Sequence, residues 1–484
     1  MQADGISGFH VDMYLIGLDI GTSTAKAGIF TEKGKLVHEL ERSYTDSLDP
    51  SSWLETATII LKDIEPKSDI AGLCVGSQGP TMVALDKNLM PVCPAFSWMD
   101  LRAEQEASLL RERLDRFISS SWIVPKALWL KIHHPEIYSR TRWFVQPMDF
   151  FSIRLTGRIS AGVASEEIVP WSSEEITAAD IDISKFPRFL LMGDLIGTIT
   201  EEASKATALP KGTPVFSGAP DFVEAILGTG AMEKGLVCDK AGTSEGIELC
   251  WDKKIYDPRF FCAPHPVSPE NWHLGGTIAT TGKSLEWLGS LMGLTARKID
   301  LLAKESPPGS NGLVFFPHLA EERSPFFERI PGGFLSLSLD HTRSDLARSV
   351  LEGGAFSIKR VIDAMHELRL NIREIRSTGG QSRSDLWNQI KADVTGLEVI
   401  RTEAVHGEVM GAAMIGAFGA GIYPDLKTAS QKMAKLGKRF YPNKQSRKIY
   451  DELYRARRDL YEIFQSHSSF ISHKSRALCN FSDL

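Results

Sequence analysis

One device appears twice and limits what this chain can fold into. Tyr14-Leu15-Ile16-Gly17-Leu18-Asp19-Ile20 is an apolar strand that breaks at Gly21-Thr22-Ser23 and resumes as Thr24-Ala25-Lys26-Ala27-Gly28-Ile29-Phe30. Leu236-Val237-Cys238-Asp239-Lys240-Ala241 likewise runs into Gly242-Thr243-Ser244 and resumes as Gly246-Ile247-Glu248-Leu249-Cys250-Trp251. Two halves that each open on a glycine-threonine hairpin predict a duplicated domain around a central cleft. Gly and Thr at such a tip let backbone N–H groups turn inward on an anion, as phosphate sites require. A carboxylate beside the tip, here Asp19, suits Mg2+ and its waters. Taken alone, the first stretch is equally an ordinary hairpin with a polar tip. It is not a P-loop, in which a helix, not a second strand, follows the glycines.

The 484 residues exceed one compact domain and predict two. A net charge of −6 is spread over 55 basic and 61 acidic residues without a block of one sign. That balance argues against nucleic acid or an anionic membrane as the main partner and favours a small molecule. The six cysteines are scattered without a C-x-x-C pair, so neither a zinc site nor a disulfide framework is expected, and a reducing cytoplasm is the expected setting. The longest uncharged apolar run, Val409 to Pro424, is too short for a membrane span. Residues 1–12 lack the basic start and apolar core of a signal peptide and are expected to be a disordered extension.

In chain order, Leu36–Leu40 completes a three-strand meander, Trp53–Leu61 has helical spacing, and Ile70–Gly76 is a buried strand ending in Ser77-Gln78-Gly79-Pro80-Thr81. Polar groups where a strand stops are where open α/β sheets place ligand contacts. Trp98, Asp100 and Arg102 alternate, and an extended segment would put all three on one face as a platform for a polyhydroxylated ligand. Pro125 to Leu155 reads as helices broken at His134-Pro135. Asp221 falls between the strand Thr213–Gly218 and a helix beginning at Phe222, where it is either an exposed acid or base or simply an N-cap. Gly276 and Gly282 before Lys283-Ser284 lack P-loop spacing, although the Gly282 turn is placed to approach a nucleotide. Thr342 to Asp345 forms a capping box that opens a long structural helix. Gly379-Gly380-Gln381 follows a strand, and its two glycines let a flat ligand lie against bare backbone. The Gly/Ala-rich segment Val409–Gly419, with Gly411, reads as close helix packing. Tyr450–Phe464 is an amphipathic closing helix, and residues 466–484 are expected to be an irregular tail.

Taken together, Asp19-Ile20-Gly21-Thr22, Trp98-Met99-Asp100-Leu101-Arg102, Gly218-Ala219-Pro220-Asp221, Gly242-Thr243-Ser244, Glu322-Arg323-Ser324-Pro325 and Gly379-Gly380-Gln381-Ser382 resemble the FGGY carbohydrate kinases, and the xylulokinase-like subgroup most. The resemblance implies an α/β fold of two actin-like, ribonuclease-H-like domains, bounded here at 13–234 and 235–465. It implies ATP and Mg2+ as cofactors, a sugar or polyol as substrate, and a homodimer as one form of assembly. By resemblance Asp221 is the catalytic base and Asp19 the metal-side carboxylate. Gly21, Thr22, Ser23, Lys26, Gly242, Thr243, Gly282, Gly379, Gly380, Gln381 and Gly411 line the nucleotide. Gln78, Thr81, Trp98, Asp100 and Arg102 join Asp221 around the acceptor. The chain departs from the xylulokinase-like pattern at Gly79-Pro80, where Met-His is usual, at Phe222, where Asn or Gln is usual, and at Ser336, where glycine is usual. D-Xylulose is the first expected acceptor, with L-fuculose, L- or D-ribulose, gluconate, erythritol and glycerol as alternatives. An actin-like or chaperone-like ATPase and an inactive sugar-binding regulator are the competing classes.

Overall fold

The computed structural model describes residues 13–320, 322, 325–326 and 330–479. The expectations for 1–12, for Arg323-Ser324 and for 480–484 lie outside the described residues. The chain forms two compact units: residues up to Gly230 with Gly407–Ala434, and Ala231–His406 with residues from Lys435 onward.

The first unit is built on β1 (Tyr14–Ile20), β2 (Thr24–Thr31), β3 (Leu36–Ser43), β4 (Ile70–Ser77), β5 (Leu195–Thr198) and β6 (Pro214–Pro220), in the order β3-β2-β1-β4-β6-β5. β1 is antiparallel to β2 and parallel to β4, which is parallel to β6. The second unit contains β7 (Leu236–Ala241), β8 (Glu245–Trp251), β9 (Phe261–Pro264), β10 (Trp272–Ile278), β11 (Glu374–Thr378), β12 (Glu398–Thr402) and β13 (Leu436–Phe440), in the order β9-β10-β8-β7-β11-β12-β13. Setting aside the added edge strands, both sheets run third-second-first-fourth-fifth. This is the ribonuclease-H-like order, present twice as the repeated turns predict.

Each sheet is covered by helices whose apolar faces bury against it. Ile16, Leu18 and Ile20 of β1 share a core with Trp53, Ile60 and Leu61 of the helix Pro50–Asp63, which Asp49 caps through Ser51 N. In the second unit Val237 and Ile247 pack with Ile358, Ile362 and Met365 of the helix Arg343–Glu367, opened by the Thr342/Asp345 capping box. Each such side chain contributes about 1.5–3 kcal/mol.

Three expectations need correction. Residues 235–465 do not form one continuous unit, because the helix Gly407–Gly419 packs on the first sheet. A Cβ on Gly17 would lie 1.9 Å from Val409 O, and one on Gly228 would lie 2.0 Å from Gly407 O. Only bare backbone permits that approach, so the small residues of this segment return it to the first unit. The stretch read as helical throughout holds a short strand, Trp143–Val145, paired with Val83–Leu85. The tail expected from residue 466 continues the last helix, which spans Lys444–Cys479.

Candidate active site

The β1–β2 hairpin positions the first turn. Gly21 N donates to Thr24 O at 3.0 Å, closing the tip, and Gln78 donates to it twice: its backbone N to Ile20 O at 3.0 Å and its Nε2 to Gly21 O at 3.1 Å. Gln78 is buried, and its Oε1 accepts no hydrogen bond. Asp19 and Lys26 face each other across the ladder. The Lys26 ammonium lies 3.7 Å from Asp19 Oδ2 and 2.6 Å from Glu408 Oε1, on the helix that returns from the second half of the chain. Burial by itself would lower the Lys26 pKa, but the Glu408 and Asp19 carboxylates outweigh it and hold the pKa above the ordinary value. Lys26 is therefore an ion-pair partner in this geometry and not a cation held out into solvent.

Asp221 is the first residue of the helix Asp221–Thr229, directly after β6. The N-cap is Pro220, so Asp221 is not the cap. One turn further, Glu224 is fully buried, and the absence of a side chain at Gly76 makes room for it: a Cβ there would lie 1.8 Å from Glu224 Oε2. Burial first, then the charges of Asp19, Asp221 and Glu408, push the Glu224 carboxyl well above the usual range.

The Trp98-Asp100-Arg102 segment is not extended. Asp100 N donates to Ser97 O at 3.0 Å, and the chain turns. Trp98 Nε1 donates to Thr22 Oγ1 at 3.1 Å, tying the indole to the glycine turn, and Trp98 N donates to the buried Thr81 Oγ1 at 3.2 Å. Asp100 and Arg102 form a two-bond pair, with Arg102 Nε–Asp100 Oδ1 and Arg102 Nη2–Asp100 Oδ2 both at 2.9 Å. The guanidinium lies 5.1 Å from the Phe96 ring centroid and 5.0 Å from that of Trp129. Ser23 is exposed and Thr22 half-buried at the tip.

In the second unit the β7–β8 hairpin closes with Gly242 N donating to Ser244 O at 3.0 Å. Gly282 lies in the first turn of the helix Thr281–Met292, and its missing Cβ would be 2.2 Å from Gly242 O. Lys283 N donates to Thr243 O at 3.0 Å, so the helix start is docked on the turn. Gln381 Nε2 bridges Gly242 O and Thr281 Oγ1. Gly379 has φ +90° and lies against Ala241 O, whereas a Cβ on Gly380 would meet open space. The turn after β7, the turn after β11 and the start of the Thr281 helix thus meet. Gly411 belongs to the first unit, where its Cβ would lie 1.9 Å from Glu224 O. Its glycine is required by helix–helix packing.

The N-terminal domain of the FGGY family of carbohydrate kinases matches residues 14–228, and the C-terminal domain of that family matches residues 240–420. The chain belongs to the FGGY carbohydrate kinases. It is 28% identical to a protein named xylulose kinase from Lactococcus lactis, over 97% of this chain and 99% of that one. It is 25% identical to a gluconokinase from Bacillus licheniformis, over 91% and 94%. Among solved structures, xylulose kinase from Rhodospirillum rubrum superposes with a TM-score of 0.75 at 27% identity, covering 94% of this chain and 99% of that one.

Several of the kinase's buried charges were not read from sequence. Glu224 was legible in principle, three residues after Asp221 on the same helical face. Glu408 was not, because 382 residues separate it from Lys26. Lys391 had no signal either. Its ammonium binds Asp239 Oδ2 at 2.7 Å and also Glu245, holding both flanks of the second turn from the helix Asp385–Thr395. Asp239 precedes its glycine by three residues and Asp19 precedes its own by two, so the two acids lie on opposite faces of their strands. The hairpins are duplicated, but their charge clusters are not.

Proposed function

We propose that this carbohydrate kinase transfers the γ-phosphoryl group of ATP to a hydroxyl of a ketose, with D-xylulose as its first substrate. The observation that carries the reading is Asp221: a half-buried carboxylate at a strand-to-helix junction, released from capping by Pro220, acting with Asp19 on the same buried Glu224. Relatives named xylulose kinase, matching over nearly the full length, support the acceptor. The gluconokinase relative supports gluconate as the second reading.

In this reading Asp221 orients the acceptor hydroxyl and takes its proton as the new O–P bond forms. Thr22, Ser23 and the Gly21 amide hold phosphoryl oxygens in the first unit. Gly242, Thr243, Gly282, Gly379, Gly380 and Gln381 take the nucleotide in the second. Gln78, Thr81, Trp98, Asp100 and Arg102 hold the acceptor. Lys26 fixes the Asp19 carboxylate and does not meet phosphate itself. Among the described residues no cluster of three ligating side chains exists. A single hard carboxylate, Asp19, fits Mg2+, which keeps several waters and takes phosphate oxygens. The metal would neutralise charge on the transferring group. Described helices include none long and apolar enough to cross a membrane, and the five cysteines with described side chains are free, which suits a reducing cytoplasm.

The test is ADP release with D-xylulose, D-ribulose, L-fuculose, L-ribulose, gluconate, glycerol and erythritol. D-Xylulose is expected to give the highest kcat/KM. Stimulation by none of the seven would overturn the reading.

A further inference from the structure

Lys126 is a fully buried lysine in the helix Ile123–His133 of the first unit. Its ammonium donates to Ser97 O at 2.8 Å and to Phe96 O and Pro80 O, both at 3.3 Å. An ammonium has three N–H donors, and here three carbonyls receive them. The carbonyls come from two segments, one carrying Gln78 and Thr81 and the other Trp98, Asp100 and Arg102. Met82 and Phe96 join the segments by a pair of backbone hydrogen bonds at 2.9 and 3.0 Å. Three residues along the same helical face, Trp129 lies under the Arg102 guanidinium and meets the Phe96 ring edge-on at 5.8 Å. One helix face thus supports both acceptor segments, through a charge on their backbones and a ring under their arginine.

We infer that Lys126 is a positioning residue for acceptor binding, holding the Pro80 and Phe96–Ser97 backbones in the register that presents Thr81, Trp98 and the Asp100–Arg102 pair. The inference rests on the acceptor set proposed above. A lysine buried among carbonyls is an expensive way to gain stability, and a methionine of similar length would fill the space. What methionine cannot supply is the three-way tie between the segments. Burial pushes the Lys126 pKa below its ordinary value and so works against the charge that the three carbonyls receive.

The test compares wild type with Lys126→Met in two measurements. In steady-state kinetics with the acceptor the wild type turns over best, the KM for acceptor is expected to rise at least tenfold. The KM for ATP should stay within twofold. In hydrogen exchange on the free protein, amides of 81–82 and 96–102 are expected to exchange at least tenfold faster, with protection in β1, β4 and β6 unchanged. An unchanged acceptor KM, or equal loosening across the whole first unit, would overturn the inference. The exchange measurement needs no substrate. If no acceptor is turned over, the proposed function fails, and wild-type protection of 81–82 and 96–102 in Lys126→Met would still overturn the role of Lys126 separately.

Discussion

The Lys26–Glu408 pair offers a quantitative test of how the returning helix is bound to the first sheet. The contact is 2.6 Å, with side chains 16% and 2% exposed, so it lies largely out of water. Removing one partner of such a pair strands the other charge and costs about 3–5 kcal/mol, whereas a pair removed together costs much less. Lys26→Met leaves Glu408 and Asp19 facing Glu224 without their cation. Glu408→Gln leaves Lys26 with Asp19 at 3.7 Å as its remaining carboxylate, so its cost should fall at the lower end, about 3 kcal/mol. The double variant is expected to be less destabilised than the sum of the singles by about 2 kcal/mol. Urea unfolding followed by circular dichroism on all four proteins gives that coupling energy. Additivity within about 0.5 kcal/mol would refute the view that the two charges act as one buried unit.

Asp221→Ala should retain nucleotide binding, measured by calorimetry, while acceptor-dependent ADP release falls at least ~10³-fold, the scale of a lost base plus lost positioning. Near wild-type turnover would remove Asp221 as the base. Gly282→Ala places a methyl 2.2 Å from Gly242 O and should lower Tm by several degrees, while Gly380→Ala meets open space and should keep Tm and weaken only nucleotide binding. Equal effects of the two on Tm would contradict the packing. Burial pushes the Lys126 ammonium from an ordinary 10.5 down to about 7. Between those values unfolding takes up a proton, so this group makes the wild type more stable as pH rises through the window. Relative to Lys126→Met, the wild type should gain about 1 kcal/mol between roughly pH 7.5 and 8.5 in urea unfolding, and a flat difference would count against the shift.

The features legible in sequence were local ones. The tips at Gly21 and Gly242 were readable because a strand that stops at glycine and restarts three residues later has few other conformations. The junction at Asp221 was readable for the same reason, an apolar strand giving way to helical spacing. The extended conformation expected for Trp98 to Arg102 is not adopted, because Ser97 O captures Asp100 N to make a turn. Composition reads the Gly411 segment as close packing, and a Cβ on Gly411 would indeed lie 1.9 Å from Glu224 O; its nucleotide role came from the resemblance alone.

By itself, then, the sequence determined the duplicated hairpins, the strand-then-helix placement of Asp221 and the family to which those motifs belong. All of these are set by backbone preferences and side-chain period within about twenty residues. Only the tertiary structure decided which charges meet. Glu408 reaches Lys26, Glu224 is buried where Asp19 and burial push its carboxyl up, and Lys126 finds three carbonyls because particular helices seat on particular strands. Those seatings depend on backbone-to-backbone approach at Gly17, Gly228 and Gly411, a long-range fit of surfaces that no local pattern encodes.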